Sequence, residues 1–339
     1  MNKKLSSIKI ILWIGIRILV VFIVVGFVIG GIYKKKENTN NSNVPPYTNS
    51  INYSYNRVYL LDKDDTLIPL TIKHQSFDTT GEEILYLVSM LKDDNSTYSE
   101  FKGIIPSKTT VKSLNLENDI LSLDFDNNFT TYDANKELKL LESLVWTLTS
   151  LDYVSGIKLS VEGVNLNNMP VSNTPINGTL TKQIGINNYL LTSTIMGTGE
   201  LVLSYYEKVI NDKYYYVPVT HYVSNNDNLS VYDLTIQTLF KDPGLSSSLN
   251  VCRCIEDTSM LTGSVLTDNI LYLSLSEDIL FDEATVSYDV YMIMKEVTAL
   301  LNDVKDVSFL MDLEEIMVNG VNKDETTIVS KIELNKYYI

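Results

Sequence analysis

Leu67-Ile68-Pro69-Leu70-Thr71 and Tyr216-Val217-Pro218-Val219-Thr220 stand 149 residues apart and share one pattern, an apolar run interrupted by proline and closed by threonine. Each pentapeptide ends a short hairpin. The correspondence continues outward. Leu91-Lys92-Asp93 closes an apolar helical stretch that begins at Glu82, and Phe240-Lys241-Asp242 closes one that begins near Ser230. Asn118-Asp119 before Ile120-Leu121-Ser122-Leu123-Asp124-Phe125 matches Asp268-Asn269 before Ile270-Leu271-Tyr272-Leu273-Ser274-Leu275 at an offset of 150, each a turn followed by an alternating strand. Self-similarity on this scale marks a duplicated unit.

The longer helices align at the same offset, with Leu140, Leu144, Leu151 and Val154 against Val290, Met294, Leu301 and Val304. Their spacing describes one buried helical face in each unit. Gly156-Ile157-Lys158-Leu159-Ser160-Val161 and Asp306-Val307-Ser308-Phe309-Leu310-Met311 then close the units as strands. The order hairpin, helix, strands, helix, strand predicts an α+β fold: two tandem two-layer sandwiches, each a mixed sheet with helices on one face. The units are placed at 56–168 and 199–339. Between them 169–198, with Pro170, Pro175 and Gly178, reads as a linker in which 183–193 forms an extra strand or connecting structure.

Residues 10–33 carry one charge, Arg17, in a run of Ile, Val, Leu and Phe long enough to cross roughly 30 Å of hydrocarbon as a helix. This segment is expected to be a single transmembrane helix, and Arg17 lies close enough to its first edge to snorkel. Its apolar core is too long for an ordinary signal peptide, and no cysteine follows it before Cys252, which excludes lipid attachment there. Lys3, Lys4 and Lys9 nearly balance Lys34, Lys35 and Lys36 across the span. The Asn-, Ser- and Pro-rich stretch at 34–55 reads as a flexible tether and favours a cytoplasmic 1–9 with an extracytoplasmic body in the cell membrane.

The formal charge is -15, and the first 36 residues hold seven basic and no acidic side chains, which leaves -22 on the remainder. A surface that negative repels phosphate backbones, so nucleic acid is not an expected partner. Two cysteines exclude a disulfide-rich scaffold or a four-cysteine zinc site.

Arg57-Val58-Tyr59-Leu60-Leu61 before Asp62-Lys63-Asp64-Asp65, followed by Leu67-Ile68-Pro69-Leu70-Thr71, resembles the opening hairpin of the GerM sporulation and spore germination domain family. Ile105-Pro106-Ser107-Lys108-Thr109-Thr110-Val111, Leu121-Ser122-Leu123-Asp124-Phe125 and the segment 148–161 follow that domain's order. The copies cover about 56–168 and 200–320, and the second, with its longer first hairpin and Cys252-Arg253-Cys254 near the place of Ile105-Pro106, is the more divergent. The resemblance implies a membrane-anchored, extracytoplasmic assembly module with a fold like that of ring-building domains. It also implies protein partners in an envelope complex, self-association among them, and no catalytic set to carry over.

No catalytic, cofactor-binding or metal-binding residue is assigned. His74 and His221 fall three to five residues past the matched prolines at non-equivalent positions and read as polar strand-end residues. Asp124, Asp126 and Asn128 have the alternate spacing of a calcium loop, but Phe129 stands where glycine is needed and Asn135 where a bidentate glutamate is needed. Asp62, Asp64 and Asp65 fit a polar turn. Cys252 and Cys254, one residue apart, sit at the edge of disulfide geometry and read as packed or partly exposed thiols. Tyr205, Tyr206, Tyr214, Tyr215, Tyr216 and Tyr222 cluster on the second long hairpin, where they serve either an interface or the core. A hydrolase would need paired carboxylates, for instance from the regions of Asp124 and Glu162. The reading is a non-enzymatic sporulation or germination assembly protein; the alternative is a cell-surface module that binds a wall component or ligand.

Overall fold

The computed structural model describes residues 53–95, 97–176, 178–188, 199–224, 228–240, 248–252, 261–276, 285–311, 314–318 and 335–337. The expected transmembrane helix at 10–33, nearly all of the tether, and Cys254 lie outside these residues. Among the described residues no helix is long and apolar enough to cross a membrane.

The first repeat opens with the antiparallel hairpin β1 (Tyr53–Leu61) and β2 (Leu67–Gln75). Asp62 shapes its turn by accepting hydrogen bonds from the amides of Asp64 and Thr66 at 2.9 Å each. Helix α1 (Thr80–Met90) follows, capped by the Thr79 hydroxyl, which accepts from the Glu82 amide. Strands β3 (Val111–Glu117) and β4 (Ile120–Phe125) are joined by Asn118-Asp119, both at positive φ, the conformation of a tight two-residue hairpin turn. Helix α2 (Glu137–Leu148) then returns the chain to β5 (Gly156–Val161), parallel to β4, and β6 (Val164–Asn165) completes the sheet in the order β3-β4-β5-β6.

The second repeat reproduces this plan. Its hairpin β7 (Glu200–Ile210) and β8 (Lys213–Val223) turns through Asn211-Asp212, two residues where the first hairpin uses five. Helix α3 (Val231–Thr238), β9 (Asn250–Val251), β10 (Leu261–Thr267), β11 (Ile270–Leu275), β12 (Thr285–Val286), α4 (Tyr288–Val297), β13 (Asp306–Met311) and β14 (Glu314–Val318) follow, and β11 pairs in parallel with β13 as β4 does with β5. A last strand, β15 (Lys336–Tyr337), runs back to the first repeat and pairs in parallel with β2. Residues of both repeats share a single hydrophobic core, from Val58 and Trp146 to Val290 and Phe309.

Three features depart from the sequence reading. First, the apolar stripe outruns the helix: α2 stops at Leu148, and Leu151 and Val154 are buried beyond it. Thr149 and Ser150 donate their hydroxyls to the carbonyls of Val145 and Thr147, satisfying helix-end acceptors and letting the chain turn while the stripe stays buried. Second, α2 is buried nearly all round, since it packs on β5 with one side and on β1 with the other. The long hairpin thus forms a further layer over helices expected to have a single buried face. Third, the described part of 169–198 is packed rather than a bare connector. Leu180 bridges to Ile157, residues 182–184 form a short 3-10 turn, and Ile186 and Asn187 are fully buried.

Glu137 anchors the start of that stretch. Its carboxylate accepts from the Tyr132 hydroxyl (2.7 Å), the amides of Val171, Ser172 and Thr174, and the Thr174 hydroxyl. Burial pushes its pKa up, but the donors, Ser172 foremost, outweigh burial and hold it below the ordinary value. Glu137→Ala strands several donors at once and is expected to cost about 3 kcal/mol of unfolding free energy in urea titrations. Glu137→Gln, which keeps the shape, should cost less.

Candidate functional site at the seam between the repeats

Strands β2 and β8 lie side by side and antiparallel, one asparagine joining Leu67 to Pro218 and another joining Pro69 to Tyr216. Proline has no N–H, so Pro218 opposite Leu67 and Pro69 opposite Tyr216 each take a donor out of an ordinary ladder. Two asparagine side chains fill the seam. Asn187 donates from Nδ2 to the carbonyls of Leu67 (2.8 Å) and Pro218 (2.9 Å), and its Oδ1 accepts from the Leu67 amide. Asn335 donates from Nδ2 to the carbonyls of Pro69 (2.7 Å) and Tyr216 (2.8 Å), and its Oδ1 accepts from the Tyr216 amide. Since Leu67 corresponds to Tyr216 and Pro69 to Pro218, the two clamps are images of each other about a pseudo-two-fold axis near Ile68 and Val217.

Both asparagines take positive φ, near 50°, which asparagine tolerates better than most residues. Beside Asn187, Gly185 at φ 81° lies so close to Thr220 that a Cβ would come within 2.7 Å of its hydroxyl. The Gly185 carbonyl accepts from the Trp146 indole at 2.8 Å, and Thr220 exchanges hydrogen bonds with the backbone of Ile186.

Charges cross the same seam. Arg57 on β1 forms a bidentate pair with Glu296 on α4, at 2.7 and 2.8 Å, and the Tyr205 hydroxyl donates to the same carboxylate. For Glu296, burial pushes the pKa up, but the Arg57 guanidinium outweighs it and holds the carboxyl below its ordinary value of 4.5. For Arg57, burial alone would lower the value, and Glu296 reverses that and raises it. Tyr59, packed with Arg57 and Tyr205, is pushed up to about 12 chiefly by burial. Lys208 on β7, buried to 3% side-chain exposure, is clasped by Asp62, by Asp64 at 3.1 Å and by the Thr66 hydroxyl at 3.0 Å.

The residues singled out from sequence fall mostly elsewhere. Asp62 and Asp64 do form a polar turn, and its cation is Lys208. His74 lies near the end of β2, hydrogen-bonded to Asn56 and stacked on Phe77 at 5.0 Å between ring centroids; His221 in β8 shares a 3.1 Å hydrogen bond with the Tyr206 hydroxyl. Cys252 is buried and donates its thiol to the Tyr205 carbonyl. The tyrosines divide: Tyr205, Tyr206 and Tyr215 are buried, while Tyr214 is 54% exposed across the hairpin from Val209.

Asp124 and Glu162 do come to one place. Asp124 accepts from the Gly163 amide, while Glu162 accepts from the Asn127 amide and Lys112. Asp126 beside them accepts from Thr110 and Asn128. Lys112 is the first cause of the lowered Glu162 pKa; at Asp126 desolvation is the largest single influence and raises the value, but the Thr110 and Asn128 donors together outweigh it and lower it too. Among the described residues no group of His, Cys, Asp and Glu is arranged to hold a metal ion. The seam residues Asn187, Asn335, Arg57, Lys208 and Glu296 escaped the sequence reading. The signal for two of them was present: Ile186-Asn187-Asn188-Tyr189 and Leu334-Asn335-Lys336-Tyr337 repeat at an offset of 148.

A doubled hairpin-and-sheet unit closed on itself by such a seam defines a tandem-domain α+β protein. Residues 57–167 match the Germane family model, described as sporulation and spore germination, and the chain carries two GerM-like domains in tandem. It is 27% identical over 303 residues to the spore germination protein GerM of Bacillus subtilis, covering 88% of this chain and 82% of that protein. It also superposes on a solved structure of the tandem GerMN domains of the sporulation protein GerM from Bacillus subtilis with a TM-score of 0.66 and 25% identity, covering 80% of this chain and 95% of that one.

Asn187→Ala leaves the Leu67 amide and two carbonyls without their buried partner and is expected to cost about 3 kcal/mol in chemical denaturation, with Asn335→Ala costing less because its site is only half-buried. Because the folded pKa of Glu296 is depressed, its contribution is fully present above the ordinary value of 4.5 and is lost as pH falls through the lower folded value. Melting temperature measured across that window should fall with acid, and Glu296→Gln should flatten the slope.

Proposed function

We propose that the chain is a non-catalytic, membrane-anchored assembly protein of a sporulation or spore germination envelope complex, its two GerM-like domains held outside the cytoplasm by the apolar stretch at 10–33. The observation that carries this reading is the agreement of the whole two-domain body with the tandem GerMN structure. The chemistry of the described residues supports it. The buried charges are spent on one another across the seam, and the half-buried Asp126 and exposed Glu162 are held ionised, the wrong state for a proton donor at neutral pH.

A second reading rests on a groove of about 560 Å³ below the first hairpin turn, lined by Phe101, Tyr132, Asp93, Asp133, Asp65 and Lys136. Its mixed apolar and charged walls suit a small ligand or a wall fragment.

Deletion of the coding sequence in the native host distinguishes these readings. Assembly predicts either fewer heat-resistant spores or normal numbers that germinate poorly, with cross-linking of the wild-type cell recovering the chain bound to other envelope proteins. Unchanged sporulation and germination, together with retention on isolated wall that Tyr132→Ala abolishes, would replace assembly by surface binding.

A further inference from the structure

The register of the two long hairpins identifies which residues correspond across the pseudo-two-fold axis. Tyr59 faces Pro69 and Tyr205 faces Pro218, so β1 and β7 correspond at an offset of 146, not 149, because the second turn is shorter. Asp62, whose amide bonds the Thr66 carbonyl, therefore corresponds to Lys208, which faces Tyr215. Asp62 and Lys208 are equivalent positions that meet each other across the axis. Tyr59 and Tyr205 meet in the same way. Arg57 corresponds to Leu203, and Glu296 to Trp146, so the mirror image of the buried ion pair is an apolar, buried pair of positions.

On β2 and β8 the asparagine clamp meets main-chain groups alone, and either repeat presents the same groups; Asn187 is also held within the first repeat by Lys139, which donates to its Oδ1, and by Glu142, which accepts from its backbone amide. Nothing in the clamp's contacts with the two strands distinguishes repeat 1 with repeat 2 from repeat 1 with another repeat 1. The charges do distinguish them. Two first repeats would bring Asp62 onto Asp62 in a buried site and face Arg57 with Trp146. Two second repeats would bring Lys208 onto Lys208 and leave Glu296 against Leu203. A buried like-charge contact or an unpaired buried ion is a strong penalty, and opposed pairs that match in one combination only are how interfaces exclude wrong partners.

We propose that the seam is a two-fold docking device in which the main-chain clamp supplies adhesion and the axial Asp62–Lys208 pair, backed by Arg57–Glu296, selects a first repeat with a second. The partner it fits besides its own chain is a second copy of this chain with the two repeats exchanged reciprocally. The selection acts through position on the axis, so inverting one charge forbids closure within a chain, while inverting its counterpart on another chain permits closure between them.

The test uses the full chain in a mild non-ionic detergent, carrying Asp62→Lys, Lys208→Asp or both. Each single variant should be cleaved by a limiting protease at least about tenfold faster than wild type, since its like charges oppose the closed seam. The double variant should return to within about twofold of wild type, as a restored pair would. Mixed one to one, the single variants should form a dimer by light scattering that neither forms alone. A double variant cleaved as fast as the single ones would overturn the pairing, and so would a single variant that dimerises by itself. A mixture that stays monomeric overturns exchange with a second copy. Asp62→Asn keeps the acceptor for the Asp64 and Thr66 amides and adds no like charge, so it should be cleaved more slowly than Asp62→Lys; cleavage equal to that of Asp62→Lys would show that opposition of like charges is not the cause and sink the proposal.

Discussion

Two sheet edges that each set a proline opposite a residue of the other cannot form a complete ladder with one another, and the arrangement of this body follows from how that gap is filled. Pro69 and Pro218 each remove one of the donors that their edges would present to the seam, leaving the Leu67 and Tyr216 amides. What remains is a row of carbonyls and a few amides held apart by one side-chain width. An asparagine carboxamide has both a donor pair and an acceptor, so it completes both edges at once. The last residues of each repeat deliver one such side chain, which ties the end of each repeat to its own hairpin and to the other's.

The consequences run outward from the seam. The stretch after the first repeat must stay packed to hold Asn187 in place, and Gly185, Trp146 and Thr220 do that. The second hairpin becomes a central element: β7 is buried over most of its length on both faces, which explains why neighbouring Tyr205 and Tyr206 are both inaccessible despite pointing to opposite sides. The tyrosine cluster therefore divides into a buried set that builds the core and an exposed tip, Tyr214 with Val209.

Burying charge at such a seam is expensive unless every ion finds a partner. Arg57 with Glu296 and Lys208 with Asp62 satisfy that condition between the repeats, whereas Glu137 and Glu142 satisfy it within the segment that leads to the seam. Duplication supplied two equal halves; divergence at a few buried positions made the halves complementary.

Local chemistry was legible from the chain alone because it depends on near neighbours: the paired Asn-Asp and Asp-Asn turns, the alternating strands after them, the helical stripes and the duplication itself. The resemblance carried by residues 57–71 pointed to the family whose model matches residues 57–167 for the same reason, since those residues form one contiguous hairpin. The end of α2 was misread because burial continues past Leu148 after helical geometry has stopped. The seam was hidden for a different reason. Arg57 and Glu296 are 239 positions apart, Asn335 and Pro69 are 266 apart, and a three-residue difference in turn length shifts the register that would have aligned Asp62 with Lys208. Sequence periodicity determines which side of an element is buried; which buried charge meets which is decided only when the two hairpins dock edge to edge.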